Sequence, residues 1–167
     1  ITDGSSTKTV YTLKSDVRGI LDHAGYNDNY KVVATTRDGN NIAIEVLETI
    51  EENNKKGEPT VMVVPYGPIG PYSRLVYLVN KYRVSLKNCI FINMDEYLTD
   101  DKEYIDINHP LSFRGGMDRI FYDVVDEELN VLPENRIFPD PEHPEKVMEI
   151  IEKYGKLDMV FGGVGIN

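Results

Sequence analysis

The chain has 167 residues with 18 Lys+Arg against 28 Asp+Glu, a formal net charge of −10. At roughly 100–200 residues per domain this is one domain with a core, and its 41% apolar and 10% aromatic residues are a globular composition. The acidic balance leaves no basic stripe for a nucleic-acid backbone, the single Cys89 excludes an internal disulfide or multi-cysteine zinc site, and no apolar run approaches the ~20 residues that span a bilayer.

In chain order, residues 1–29 read as an N-terminal extension. Its start, ITDGSSTKTVYTLK, has neither the charged beginning nor the apolar centre of a signal peptide. With the lone cysteine, that points to a cytoplasmic protein. Ser15 to Ala24 can form one short helix with Val17, Ile20 and Leu21 on one side, stopped at Gly25. Residues 30–167 then alternate between extended and helical patterns.

The alternation begins with an extended segment, Tyr30 to Thr36. Ala43, Val46, Leu47 and Ile50 follow at steps of three and four, one stripe of a helix that starts near the N-cap Asp38 and stops before Gly57. Thr60–Pro65 is continuously apolar and β-branched, a buried strand. After the loop Tyr66–Pro71, Leu75, Leu78, Val79 and Tyr82 mark a second helix. Asn88–Met94 is the next buried strand. A third helix is predicted from Ser112 with Met117, Ile120, Phe121 and Val124 in register.

The proline-rich stretch from Val131 to His143 reads as loop, with a short strand at Arg136–Phe138. Pro144 suits the first turn of a fourth helix that turns Val147, Ile150 and Ile151 inward and ends at Gly155. Leu157–Phe161 is a last strand, running into Gly162-Gly-Val-Gly-Ile-Asn167. Buried strands alternating with helices predict an α/β three-layer domain, doubly wound on a mostly parallel, Rossmann-like sheet. A domain of this kind continues past such a strand into a loop and another helix. The sequence therefore reads as the N-terminal portion of a longer domain, incomplete at its C-terminus.

In open parallel sheets ligands bind outside the carboxyl ends of the strands. Gly67-Pro-Ile-Gly70 and Ser73 after the strand at 60–65 offer close backbone approach and a helix N-terminus for an anion such as phosphate. They match neither a Walker A loop nor a dinucleotide fingerprint, and a tight strand-to-helix turn is the plainer reading. Asp95 and Glu96 close the strand at 88–94. One of them can cap a following helical turn, or Asp95 can serve as a general base at the crevice. By alternation Glu96 points the other way, a supporting or substrate-binding group. The glycines at 162–165 would keep the same crevice open. His23, His109 and His143 show no metal-ligand spacing, no nucleophile elbow is present, and neither metal nor cofactor is expected.

Together, Asn93-Met-Asp-Glu-Tyr97, His109-Pro-Leu-Ser-Phe113 and Gly162-Gly-Val-Gly-Ile-Asn167 resemble the glucosamine-6-phosphate deaminase (isomerase) family, from about Lys31 to the last residue. Met-Asp-Glu-Tyr is the specific motif; the related 6-phosphogluconolactonases carry Asp-Glu followed by Arg. The resemblance implies a small-molecule sugar-phosphate substrate and no nucleic-acid or membrane partner, and a homo-oligomer is expected. It casts Asp95 as the carboxylate that moves a proton between C2 and C1 of the opened sugar. Asn167 would support a ring-opening histidine, and Gly67, Gly70, Ser73, Glu96 and Gly163 fall among the substrate-binding positions. The family's Thr/Ser-Gly-Gly/Ser-Thr/Ser-Pro phosphate loop is replaced by Tyr66-Gly-Pro-Ile-Gly-Pro-Tyr-Ser73, with Ser73 its one aliphatic hydroxyl and Arg74 a substitute cation. A lactonase and a non-catalytic sugar-phosphate sensor are the alternative readings.

Overall fold

Continuous β-branched sequence makes a strand that is buried on both faces, and two such strands form the centre of the sheet. These are β1, Thr60–Val64, and β2, Cys89–Asn93, paired in parallel from Thr60↔Cys89 to Val64↔Asn93. The computed structural model describes residues 40–67 and 69–161. The expected strand at 30–36, the helix at 15–24, the Asp38 cap, His23, Pro68 and the motif at 162–167 with Gly163 and Asn167 lie outside the described residues.

Two short strands flank this pair, β3 (Arg136–Ile137) beside β2 and β4 (Met159–Val160) beside β1, both parallel. The order is β3-β2-β1-β4. Large aliphatic side chains stabilise by about 1.5–3 kcal/mol each when fully buried, so the central strands dominate. Hydrogen bonds locate the edges. Asn93 Nδ2 donates to the Ile137 carbonyl at 3.0 Å, while the Asp158 carboxylate accepts from the Val61 backbone amide at 2.8 Å and from Asn53 Nδ2 at 3.2 Å. Asp158 and Phe161 extend the β4 ladder with backbone bonds to Val61 and Val63.

Helix α1, Asn40–Lys56, buries Ala43, Val46, Leu47 and Ile50 at the spacing the sequence shows, and Gly57 stops it with φ +70°. With α2 (Gly70–Tyr82) and the short α3 (Phe113–Met117) it covers the sheet face made by Met62, Val64 and Phe91. Helix α4, Lys146–Tyr154, lays Val147, Ile150 and Ile151 on the opposite face, against Val61, Ile90 and Ile92. This follows from handedness. The chain crosses the sheet one way from β1 to β3 and returns past both central strands to β4, so right-handed crossovers must place α4 on the other side.

Three expectations need correcting. The third helix starts as predicted at Ser112, whose hydroxyl accepts the Gly115 amide at 3.2 Å, but after Met117 it widens into a π-turn over Asp118–Tyr122. The wider turn rotates later positions, so Val125 is buried and Val124 is 49% exposed. Tyr82 points outward, beneath the Lys81 ammonium, because Arg83 ends α2 in a left-handed conformation and Val84 and Leu86 take the buried places. Pro144 lies two residues before the first regular residue of α4, in the turn that leads into it. Gly155 ends α4 with φ +65°.

Candidate active site

The loops after β1 and β2 leave the carboxyl edge side by side, because the Met94 amide donates to the Val64 carbonyl at 2.9 Å and carries the ladder one residue past β2. The crossover to β4 reverses the winding direction on the far side of β1, which makes this edge the place where an open α/β sheet parts to admit a ligand.

The loop after β1 is held at both ends. The buried Tyr72 hydroxyl donates to the Pro65 carbonyl, and burial, with Tyr122 adding to it, pushes that hydroxyl's pKa up so that it stays a donor. Tyr66 turns its ring onto Phe113, with centroids 5.0 Å apart at 27°. Gly67 has open space around it and Ile69 is 53% exposed. Helix α2 begins at Gly70 without a side-chain cap, its first turn lacks one amide at Pro71, and Ser73 is exposed there. The Arg74 guanidinium lies 5.1 Å from the Tyr77 ring centroid, with its buried Nε unpaired.

On the loop after β2, Asp95 is exposed and Glu96 is not. Glu96 Oε1 accepts the amides of Tyr97 and Phe113 at 2.8 and 2.9 Å. Its Oε2 accepts the Ser112 hydroxyl at 2.9 Å, the Arg114 amide at 2.8 Å and Arg114 Nε at 3.3 Å. Burial alone would raise the carboxyl's pKa. The donations from Arg114, Phe113, Tyr97 and Ser112 outweigh it and hold the group below the ordinary glutamate value. Glu96 and Ser112 between them satisfy the first three amides of α3, the orphan donors of any helix start.

The segment around His109 joins the same cluster. Phe113 sits between Tyr66 and Tyr97, whose ring centroid is 5.0 Å away at 61°. His109 is exposed and its Nδ1 accepts the Leu111 amide at 3.2 Å. Between β2 and α3 a hairpin closed by the Leu98–Tyr104 bridge is tied down by the Tyr104 hydroxyl on the Pro139 carbonyl and by Arg114, which stacks on Tyr104 at 4.3 Å.

Gly67 thus lies on the loop after β1 and Gly70 and Ser73 in the first turn of α2, with Asp95 and Glu96 on the neighbouring loop after β2. Sequence reasoning missed Arg114 and the pair Gly115-Gly116. A Cβ on Gly115 would stand 1.9 Å from the Ile107 carbonyl oxygen, and one on Gly116 2.4 Å from the Tyr66 ring. Two glycines inside a helical pattern were the available signal, since they mark close approach by another segment. Among the described residues no group of three His, Cys, Asp or Glu is placed to hold a metal ion, and no helix is long and apolar enough to cross a membrane.

No family model matches the chain. It is 33% identical over 129 residues to glucosamine-6-phosphate deaminase of Aliivibrio salmonicida (strain LFI1238), covering 74% of this chain and 46% of the relative. Against the Yersinia enterocolitica protein of the same name (serotype O:8 / biotype 1B, strain NCTC 13174 / 8081) it is 37% identical over 115 residues, 65% of this chain and 41% of that one. The chain spans under half the length of these curated relatives. A solved structure described as a monomeric glucosamine-6-phosphate deaminase, missing link of the NagB superfamily, shares the fold with TM-score 0.64 and 22% identity. That match covers 81% of this chain and 56% of the other.

Proposed function

Because the chain belongs to the glucosamine-6-phosphate deaminase family, we propose that it carries the proton-transfer half of an aldose–ketose isomerase/deaminase site for an amino-sugar phosphate. The reaction converts glucosamine 6-phosphate and water into fructose 6-phosphate and ammonia, or acts on a close relative of that sugar.

The observation that carries this reading is the division of labour between adjacent carboxylates. Glu96 is committed to five donors, whereas Asp95 stands exposed at the carboxyl edge on a loop fastened on both sides. A base of fixed position is what the chemistry needs. In the opened sugar, Asp95 takes the proton from C2 and the C1–C2 enol-type intermediate forms. The same carboxyl returns the proton to C1, which leaves an imine at C2. Water hydrolyses the imine, and ammonia departs.

In this reading the phosphate sits over the start of α2, at Gly67, Gly70 and Ser73. By the family resemblance Gly163 is a substrate-binding position and Asn167 orients the histidine that opens the ring. A homo-oligomer and a cytoplasmic setting belong to the same reading; the fold relative described as monomeric weighs against the first. One observation favours a second reading, a non-catalytic sensor. The position where the family carries a phosphate-loop hydroxyl is Tyr66, and its ring is turned onto Phe113.

Ammonia release from glucosamine 6-phosphate by the full-length protein, with calorimetric binding of the same sugar alongside, tests the proposal. Stoichiometric turnover to fructose 6-phosphate supports it. Binding without ammonia selects the sensor, and neither binding nor turnover overturns both.

A further inference from the structure

Asp95 is exposed, and the backbone is held on either side of it. On the N-terminal side the Met94 amide is bonded to the Val64 carbonyl. On the C-terminal side the holding group is the side chain of Glu96, which is 1% exposed. It reaches across 16 to 18 residues of sequence to Ser112, Phe113 and Arg114.

We propose that Glu96 is the positioning residue of this site: its buried carboxylate clamps the β2 loop to the start of α3 and so sets where Asp95 stands. The inference rests on the deaminase reading, because a clamp on Asp95 matters to turnover only if Asp95 is the base. Three features support the role. The clamp ties two segments that are distant in sequence, whereas an ordinary helix cap is local. It uses both carboxylate oxygens, which fixes the orientation of the loop as well as its distance from α3. Its donors belong to the same segment that holds Phe113 between Tyr66 and Tyr97, so the loops after β1 and β2 are referenced to one short helix.

An anionic carboxylate is required. Glutamine has one acceptor oxygen and would turn its NH₂ toward amides that also donate. Displacing a reacting group by about 1 Å costs on the order of 10²-fold in rate. The expected result for Glu96→Gln in the full-length protein is therefore a kcat lower by roughly 10–10²-fold, with KM for glucosamine 6-phosphate little changed. Hydrogen exchange should speed up at the amides of Tyr97, Phe113 and Arg114. Ser112→Ala removes one donor and should lower kcat by less, and Ser112→Thr, which keeps the hydroxyl, should recover it. That pair decides the matter if Glu96→Gln fails to fold.

A folded Glu96→Gln protein with parental kcat overturns the proposal. So does a loss carried entirely in KM, or a Ser112→Ala loss that Ser112→Thr does not recover. A parent protein that binds the sugar phosphate without turning it over fails the deaminase reading alone. The clamp is then judged by exchange, and it falls if Phe113 and Arg114 amides exchange as fast in the parent as in Glu96→Gln.

Discussion

Gly116 lies so close to Tyr66 that a Cβ on it would stand 2.4 Å from Cε2 of the ring. The residue that opens the β1–α2 loop is therefore seated on the backbone of α3, with Phe113 stacked beside it. Gly115, one residue earlier, admits the Ile107 carbonyl in the same way. Two loops at the carboxyl edge are thus fitted to adjacent positions of one short helix.

Substituting Gly116→Ala should therefore displace the Tyr66 ring and cost about 1–3 kcal/mol, the usual range for overpacking. In a Tyr66→Ala background the same substitution should cost much less, since the obstructing atoms are gone. Denaturant unfolding of the four proteins of this double-mutant cycle measures the coupling. Equal costs in both backgrounds would show that the contact carries no energy. Gly115→Ala should be worse than Gly116→Ala, because a backbone oxygen cannot swing away as a ring can.

Glu96 gives the fold an acid limb of known sign. Its folded-state pKa lies below the ordinary value of about 4.3 that it regains on unfolding. The stabilisation is therefore complete above that value and is lost as pH falls through the lower folded value. Parent and Glu96→Gln proteins should differ in unfolding free energy by a constant amount at neutral pH, and the gap should narrow below about pH 4.3. Urea titrations from pH 7 downward measure it. A gap independent of pH would mean that the charge contributes nothing.

Cys89 opens β2 with its side chain fully buried, and burial, with Asp158 adding to it, pushes the thiol up to about 12. The thiolate is the nucleophile, so at pH 8 the folded protein should be nearly inert to iodoacetamide while the unfolded chain reacts at the ordinary thiol rate. Labelling that follows the unfolding rate supports this. Rapid labelling of the folded protein would place Cys89 at the surface.

The sheet was legible because β1 and β2 are buried on both faces and say so residue by residue, and because α1 and α4 keep their stripes at steps of three and four. Helix α3 was legible only at its start. Periodicity assumes 3.6 residues per turn, and the π-turn after Met117 breaks that assumption without a composition signal, moving burial from Val124 to Val125. At the site, adjacency of Asp95 and Glu96 was plain and alternation already turned Glu96 away from Asp95, yet the partners that bury Glu96 were not legible. They are Ser112, Phe113 and Arg114, which reach the loop only through the fold.

Asn keeps the size and hydrogen bonding of Asp but cannot take a proton, so Asp95→Asn should lower turnover of glucosamine 6-phosphate by roughly 10²–10⁴-fold, the usual worth of a general base. KM should move little, because the proposed phosphate site is at the start of α2 and does not include this carboxyl. A second readout separates proton transfer from ring opening: exchange of the C2 hydrogen into deuterated water should fall in step with ammonia release. Stability should be unchanged within about 0.5 kcal/mol, as for other exposed positions. If Asp95→Asn turns over near the parental rate, the proton is carried by another group, and the likeness of this edge to a deaminase site is one of fold alone.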